Sequence, residues 1–204
     1  VPHLRFTAIN GKDLVSVVLA SDIFTMEEQY KYLTQIVHSD YKLFKCRRVD
    51  YEFEIKKNIS YHQLLNEGWT VAYKKFFSHT TTKEELLALA EPYIGNDEAM
   101  VCCAAKNVNS DSLVLCAFGK VHEVLRENGH KTQAIQYGNV WWYFVDGQSF
   151  GFAECDNINL NSADTVVGEN RMSWHLSGYG GYRIGDITSL NSSNEYEKIL
   201  LIIN

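Results

Sequence analysis

Side chains able to act as acid, base or nucleophile are thinly spread along these 204 residues. Nucleophilic catalysis needs a nucleophile, a base and an orienting acid that converge in space. The chain offers Ser78-His79, Trp174-His175 and five cysteines, Cys46, Cys102, Cys103, Cys116 and Cys155. None stands in a nucleophile elbow or a cysteine-protease signature. His175, beside Trp174 in a strand-like run, reads as a packed or surface histidine rather than a base. The cysteines lack the pair spacings of a zinc site or a thioredoxin-like motif. The pattern assigns no catalytic residue and no metal ligand, so the expectation is a protein that is not an enzyme.

Three other stretches carry binding chemistry. Asp156 to Asp164 is rich in oxygen ligands, and Asn157, Asn159 and Asn161 share a face if the run is extended. It lacks the glycine and terminal glutamate of the calcium loop, so a solvated edge or long loop is expected and calcium is not. Ser177 to Gly185 is glycine-rich, but a phosphate cradle needs a strand before it and a helix after it. With strands on both sides the glycines suit a turn or bulge, leaving Arg183 to pair with a carboxylate. Trp141, Trp142, Tyr143 and Trp174, with His175, are the candidate ligand-binding set, because stacked sugars and apolar ligands both want aromatic walls with a few polar anchors. Trp141 and Trp142 are adjacent, so in a strand they point to opposite faces and one of them needs a second layer, a subunit or a ligand to cover it.

The whole-chain numbers set the frame. With 46% hydrophobic, 22% charged and 13% aromatic residues and only two prolines, the chain is globular material long enough for a substantial core. A net charge of -6 and a pI near 5.6 argue against nucleic acid or an anionic membrane as partner, since both are held by clustered Lys and Arg. No apolar run has the length of a membrane-spanning helix. The start at Val1 without Met, and the sequons at Asn58 (NIS) and Asn191 (NSS), fit a processed, secreted, glycosylated chain. Cys46, Cys103, Cys116 and Cys155 are then disulfide candidates.

The elements that must position these residues follow from periodicity. Leu4, Phe6 and Ala8 alternate toward Asn10-Gly11, and Leu14 to Leu19 returns, giving a hairpin. Capping boxes open helices at Thr25, Ser60 and Thr82, the second stopping at Gly68 and the third near Pro92 and Gly95. Val49, Tyr51, Phe53 and Ile55 alternate within a strand from Phe44 to Lys56, and Trp69, Val71 and Tyr73 within another. Met100 to Ala105 and Leu113 to Phe118 form a hairpin that sets Cys103 roughly opposite Cys116. Further strands are expected at Val121 to Leu125, Thr132 to Tyr137, Val140 to Val145, Ser149 to Ala153, Arg171 to Leu176 and Tyr196 to Ile203, with turns at Gly138-Asn139 and Asp146-Gly147. The fold class is α+β, mostly antiparallel β and sandwich-like, with about three helices in the N-terminal half. A small strand-helix-strand module over 1–66 precedes an aromatic-rich antiparallel sheet domain over 67–204, with one core expected to be shared by the two.

Two resemblances add to this reading. Trp142-Tyr143, Ser149 to Phe152, Ala163-Asp164, Arg171 to Leu176, Gly180 to Arg183 and Leu190-Asn191 resemble a block in secreted mollusc proteins, and the size, acidity and sequons are similar to apple-snail egg perivitellin subunits. That resemblance implies a secreted, oligomeric storage glycoprotein carrying a carotenoid or another apolar ligand, with homologous subunits as partners. A lectin-like sugar-binding protein is the alternative. Trp69 to Tyr73, Thr82 to Ala90, Ala99 to Phe118 and Gly180 to Gly185 also resemble the order of a TLDc domain, without that family's continuous glycine run, which implies an interaction domain.

Overall fold

A computed structural model of the chain describes residues 4–10, 13–19, 42–44, 53–128, 134–159 and 162–204. The chain divides into two compact units, Val1–Asp50 and Tyr51–Asn204. The first contains an antiparallel sheet of β1 (Leu4–Asn10), β2 (Asp13–Leu19) and β3 (Lys42–Phe44), in the order β2-β1-β3. Asn10 pairs with Asp13, closing the hairpin read from the sequence. Gly11, the helix expected from Thr25, Cys46 and residues 45–52 of the expected long strand lie outside the described residues.

Two five-stranded antiparallel sheets build the second unit. One is ordered β4-β7-β6-β13-β5, from Ile55–Ser60, Ser112–Lys120, Met100–Asn107, Tyr196–Ile203 and Thr70–Phe76. The other is ordered β12-β11-β10-β9-β8, from Gly181–Ile184, Met172–His175, Ser149–Ala153, Val140–Val145 and Ile135–Tyr137. Alternation sends one side chain in two inward, and Leu200, Ile202 and Cys103 of the first sheet join Trp142, Phe150 and Trp174 of the second in one buried cluster. The α+β, mostly antiparallel fold read from the sequence is the observed one.

Local chemistry sets the helices. Ser60 accepts the Gln63 N–H as N-cap of α1 (Tyr61–Asn66), and Gly68, at φ 100, ends the turn in the left-handed region. Tyr61 and Leu64 of α1 join Trp69, Cys102 and Leu201 on the outer face of the first sheet. Thr82 and Glu85 form the expected capping box of α2 (Lys83–Ala90), which runs into a 3-10 turn, Glu91–Tyr93, started by Pro92.

Four expectations need correction. Val121–Val124 is a single helical turn, α3, rather than a strand: its spacing buries Val121, Val124 and Leu125 together, and Val121 N–H donates to the Ala99 carbonyl. Phe53 and Glu54 form a bend before β4, because the Phe53 carbonyl accepts from Asn139 N–H and its ring packs edge-on to Tyr137 at 4.4 Å. The module drawn to residue 66 takes in β4 and α1, yet β4 is hydrogen-bonded into the larger sheet from Ile55↔Ala117 to Ser60↔Ser112. Cys103 pairs with Ala117, and Cys116 with Ala104. That one-residue offset puts the two thiols on opposite faces of the sheet, where no bond forms. Cys102, Cys103, Cys116 and Cys155 are free, and burial pushes the Cys102 and Cys103 thiols up.

Candidate functional site

The five candidate ligand residues separate across the second sheet. Trp142 and Trp174 point inward, 3% and 0% exposed, and pack on Phe152 and Phe150 at centroid distances of 5.3 and 5.2 Å. Tyr143 and His175 point outward, as does Trp141, which is half-buried. The layer covering Trp142 is the other sheet, and the pair's opposite orientation was read correctly. No common aromatic wall unites the five.

On the outward face one row crosses four strands: Tyr143, Gly151, Ser173 and Arg183. Gly151 is required there, since a Cβ would lie 2.7 Å from the Tyr143 hydroxyl. Over the missing side chain Tyr143 Oη donates to the Met172 carbonyl at 2.8 Å. Burial, reinforced by Asp164, drives the Tyr143 phenol far up, so it stays a neutral donor.

Residues 154–159 and 162–170 are tied to this row by two buried arginines. Arg171 Nη1 donates to Asp164 Oδ2 at 2.9 Å and to the Asn157 carbonyl at 2.8 Å, and Nη2 to Cys155 Sγ at 3.0 Å. Burial works against this cation, but Asp164, Cys155 and Glu154 raise its pKa overall. The other Asp164 oxygen accepts from the Asn159 and Val166 N–H groups at 3.2 and 3.1 Å. Arg183 spends its guanidinium on the carbonyls of Gly185, Val166 and Gly168. The expectation that Arg183 pairs with a carboxylate is thus corrected: a five-donor fork suits a loop whose carbonyls turn inward.

The same contacts engage part of the oxygen-rich run. Asn157 gives its carbonyl to Arg171, and Asn159 donates through Nδ2 to Thr165 Oγ1 at 2.9 Å. Asn161 lies outside the described residues. Among the described residues no three His, Cys, Asp or Glu side chains are grouped to hold a metal. The glycine-rich run holds β12 itself, with a bulge where β11 pairs with it at Ser173/Trp174.

His175 sits opposite Ser149, with Nδ1 3.2 Å from Ser162 Oγ and its ring against Tyr179 and Tyr182 at 5.5 and 5.8 Å. Ser162 is itself in the left-handed region, at φ 71. Burial lowers the His175 pKa, against Ser162 and the Asn191 side chain, which favour the cation. At neutral pH the ring is an uncharged packing element. Ser78 and His79 serve a turn: Ser78 Oγ donates to Asn194 Oδ1, and His79 Nε2 lies 3.2 Å from Glu85 Oε1. Asn58 is exposed on β4 and Asn191 is half-buried beside His175.

One buried group escaped the sequence reading. Lys198 is 0% exposed, on the face of β13 that turns toward the second sheet. Its ammonium donates to the His79 carbonyl at 2.6 Å and to Thr81 Oγ1, and lies 5.7 Å from the Trp174 ring centroid. Thr81 also meets Tyr73 Oη at 2.8 Å. Burial lowers the Lys198 pKa to about 7, with Glu85 opposing, and raises that of Tyr73 to about 12. The signal was present, since Lys198, Leu200 and Ile202 alternate on one face of β13.

No helix among the described residues is long and apolar enough to cross a membrane. No protein-family model, no curated protein and no solved structure matches the chain.

Proposed function

We propose that this chain is a non-enzymatic interaction module, of the kind its TLDc-like order implies, with the sandwich as a scaffold for a protein partner. The carrying observation is how the buried ionisable groups are used. Arg171, Asp164, Arg183 and Lys198 spend their hydrogen bonds on loops of the same chain, as struts. Catalytic sites instead aim perturbed acids and bases at a cleft where substrate sits. Carriage of a carotenoid has less support, because Trp142 and Trp174 are already packed by phenylalanines of their own sheet.

Native mass spectrometry with an absorption spectrum, on protein purified from its source, tests this reading. A stoichiometric protein partner without a chromophore is expected. A visible chromophore bound to the isolated chain overturns it and restores the storage protein.

A sugar-binding reading keeps one specific support. Tyr179 is 61% exposed beside His175, a flat ring next to polar groups as saccharide sites present. Strong glycan-array binding abolished by Tyr179→Ala is its test.

A further inference from the structure

We infer that three loops which meet around Tyr179 form a binding site for an uncharged oligosaccharide. The inference rests on the sugar-binding reading and gives it a surface, a floor and a ligand class. A protein partner that carries such a glycan satisfies both proposed readings.

The loops are Ser78 to Thr80 after β5, Ser177 to Gly180 between β11 and β12, and Asn191 to Asn194 before β13. They are distant in sequence and tied in space. Ser78 N–H donates to the Ser193 carbonyl at 2.9 Å, Ser78 Oγ donates to Asn194 Oδ1, and Thr80 Oγ1 donates to the Gly178 carbonyl at 3.5 Å. A Cβ on Gly180 would collide with the carbonyl oxygens of Phe77 and Asn191, so the missing side chain is what lets the three close on one another.

Their composition says what the surface takes. None of these eleven residues is Lys, Arg, Asp or Glu, in a chain of which 22% is charged. A carboxylate, phosphate or ammonium on a ligand would lose water here and gain no counter-charge. Ser, Thr and Asn side chains donate and accept hydrogen bonds alike, as the hydroxyls of a sugar do. Thr80, Gly178, Tyr179, Ser192 and Asn194 are exposed, and Tyr179 is the one large apolar side chain among them, a ring on which the apolar face of a sugar can lie.

Under the loops is a floor of unpaired polar atoms. The His175 ring, 6% exposed, packs against Tyr179 and Tyr182, and its Nε2 is turned to the Asn191 side chain without a hydrogen bond. Asn191 Oδ1 and Ser177 Oγ, both of the loops themselves, are also buried and unpaired, as is Ser149 Oγ directly opposite His175. Buried polar groups are rarely left so. The neutral imidazole offers a hydroxyl either a donor or an acceptor, according to its tautomer.

Size favours a glycan over a protein surface. A stable protein interface engages roughly 20–30 residues a side around an apolar core. Five exposed residues around a single ring suit a short oligosaccharide.

The test is amide chemical-shift mapping of the whole chain with maltotriose, triacetylchitotriose and fucosyllactose, and with sialyllactose as the charged counterpart. At least one neutral sugar is expected to move amides of 78–80, 177–182 and 191–194, with EDTA making no difference because the loops hold no carboxylate. Sialyllactose should bind about tenfold more weakly. Tyr179→Ala, at an exposed position, should abolish the shifts, with unchanged amides across β6 as the check on folding. Shifts confined to other parts of the chain, or equal binding of sialyllactose, overturn the inference and leave the sugar-binding reading standing. Silence from all four sugars overturns it as well, and a silent glycan array then removes that reading too. A partner protein that protects these loops without a glycan also overturns it, and only the interaction module remains.

Discussion

Two of the buried positive charges of the sandwich are treated in opposite ways. On the outward face of the second sheet Arg171 keeps its charge against the Asp164 carboxylate, with both side chains almost wholly buried. Between the sheets Lys198 has only a carbonyl, a hydroxyl and an indole face, and Glu85 acts on it as the lesser influence. A guanidinium cannot shed its proton, so it needs a counter-ion; an amine can, and burial lowers its pKa instead. The arginine holds its loop as a permanent cation, whereas the charge of the lysine depends on pH.

Breaking the arginine side should cost most. Asp164→Ala leaves Arg171 buried without its anion and is expected to lower stability by about 3–5 kcal/mol in urea unfolding. Gly151→Ala forces a methyl group toward the Tyr143 hydroxyl and the Met172 carbonyl and should cost about 1–3 kcal/mol by the same measurement. On the lysine side the effects are smaller. Thr82→Ala removes the N-cap of α2, next to the turn that Lys198 holds, for about 1 kcal/mol.

Lys198→Met sharpens the contrast most, although at pH 7 it should alter stability by no more than about 1 kcal/mol, since a well-packed apolar replacement for a buried charge is often neutral. Its signature is in the pH profile. The folded pKa of about 7 lies below the ordinary lysine value of 10.5, so between them the unfolded chain binds more protons and stability rises with pH. This contribution is lost as pH falls toward 7. Tyr73, raised to about 12, and the buried Cys102 and Cys103 thiols, also raised, favour the folded form below their ordinary ranges and lose that effect as pH rises beyond them, which leaves pH 7 to about 8.5 as the window for the lysine. Tm measured across that window should climb in the native chain and flatten in the variant.

Much of the second unit was legible because it rests on local chemistry. The Thr82 box, the Ser60 cap with its stop at Gly68, the turn at Gly138-Asn139 and the run Tyr196–Ile203 carry their signals within a few residues. What was not legible depends on partners distant in sequence. Val121 to Leu125 has strand-forming residues at either end, and only the fit of one helical turn beneath Ala99 decides otherwise. Cys103 and Cys116 were misplaced by one register step, because hairpin length alone does not fix pairing. The Asp164–Arg171 pair was missed for a different reason. A loop of asparagines and a strand-initial arginine look solvated until the loop is folded back on the sheet.

The place of β13 bears on how the chain is made. It lies between β5 and β6, yet follows both by some hundred residues, with the entire second sheet encoded in the interval. Until β13 is made, β5 has no neighbour in the first sheet and β6 lacks one of its two, so Tyr73 and Cys103 wait on the same strand. Adding it is a long-range event of the slow, nonlocal kind, on a scale of roughly milliseconds to seconds. Until then the apolar faces of β5 and β6 stand open, which makes the nascent protein a natural client for chaperones.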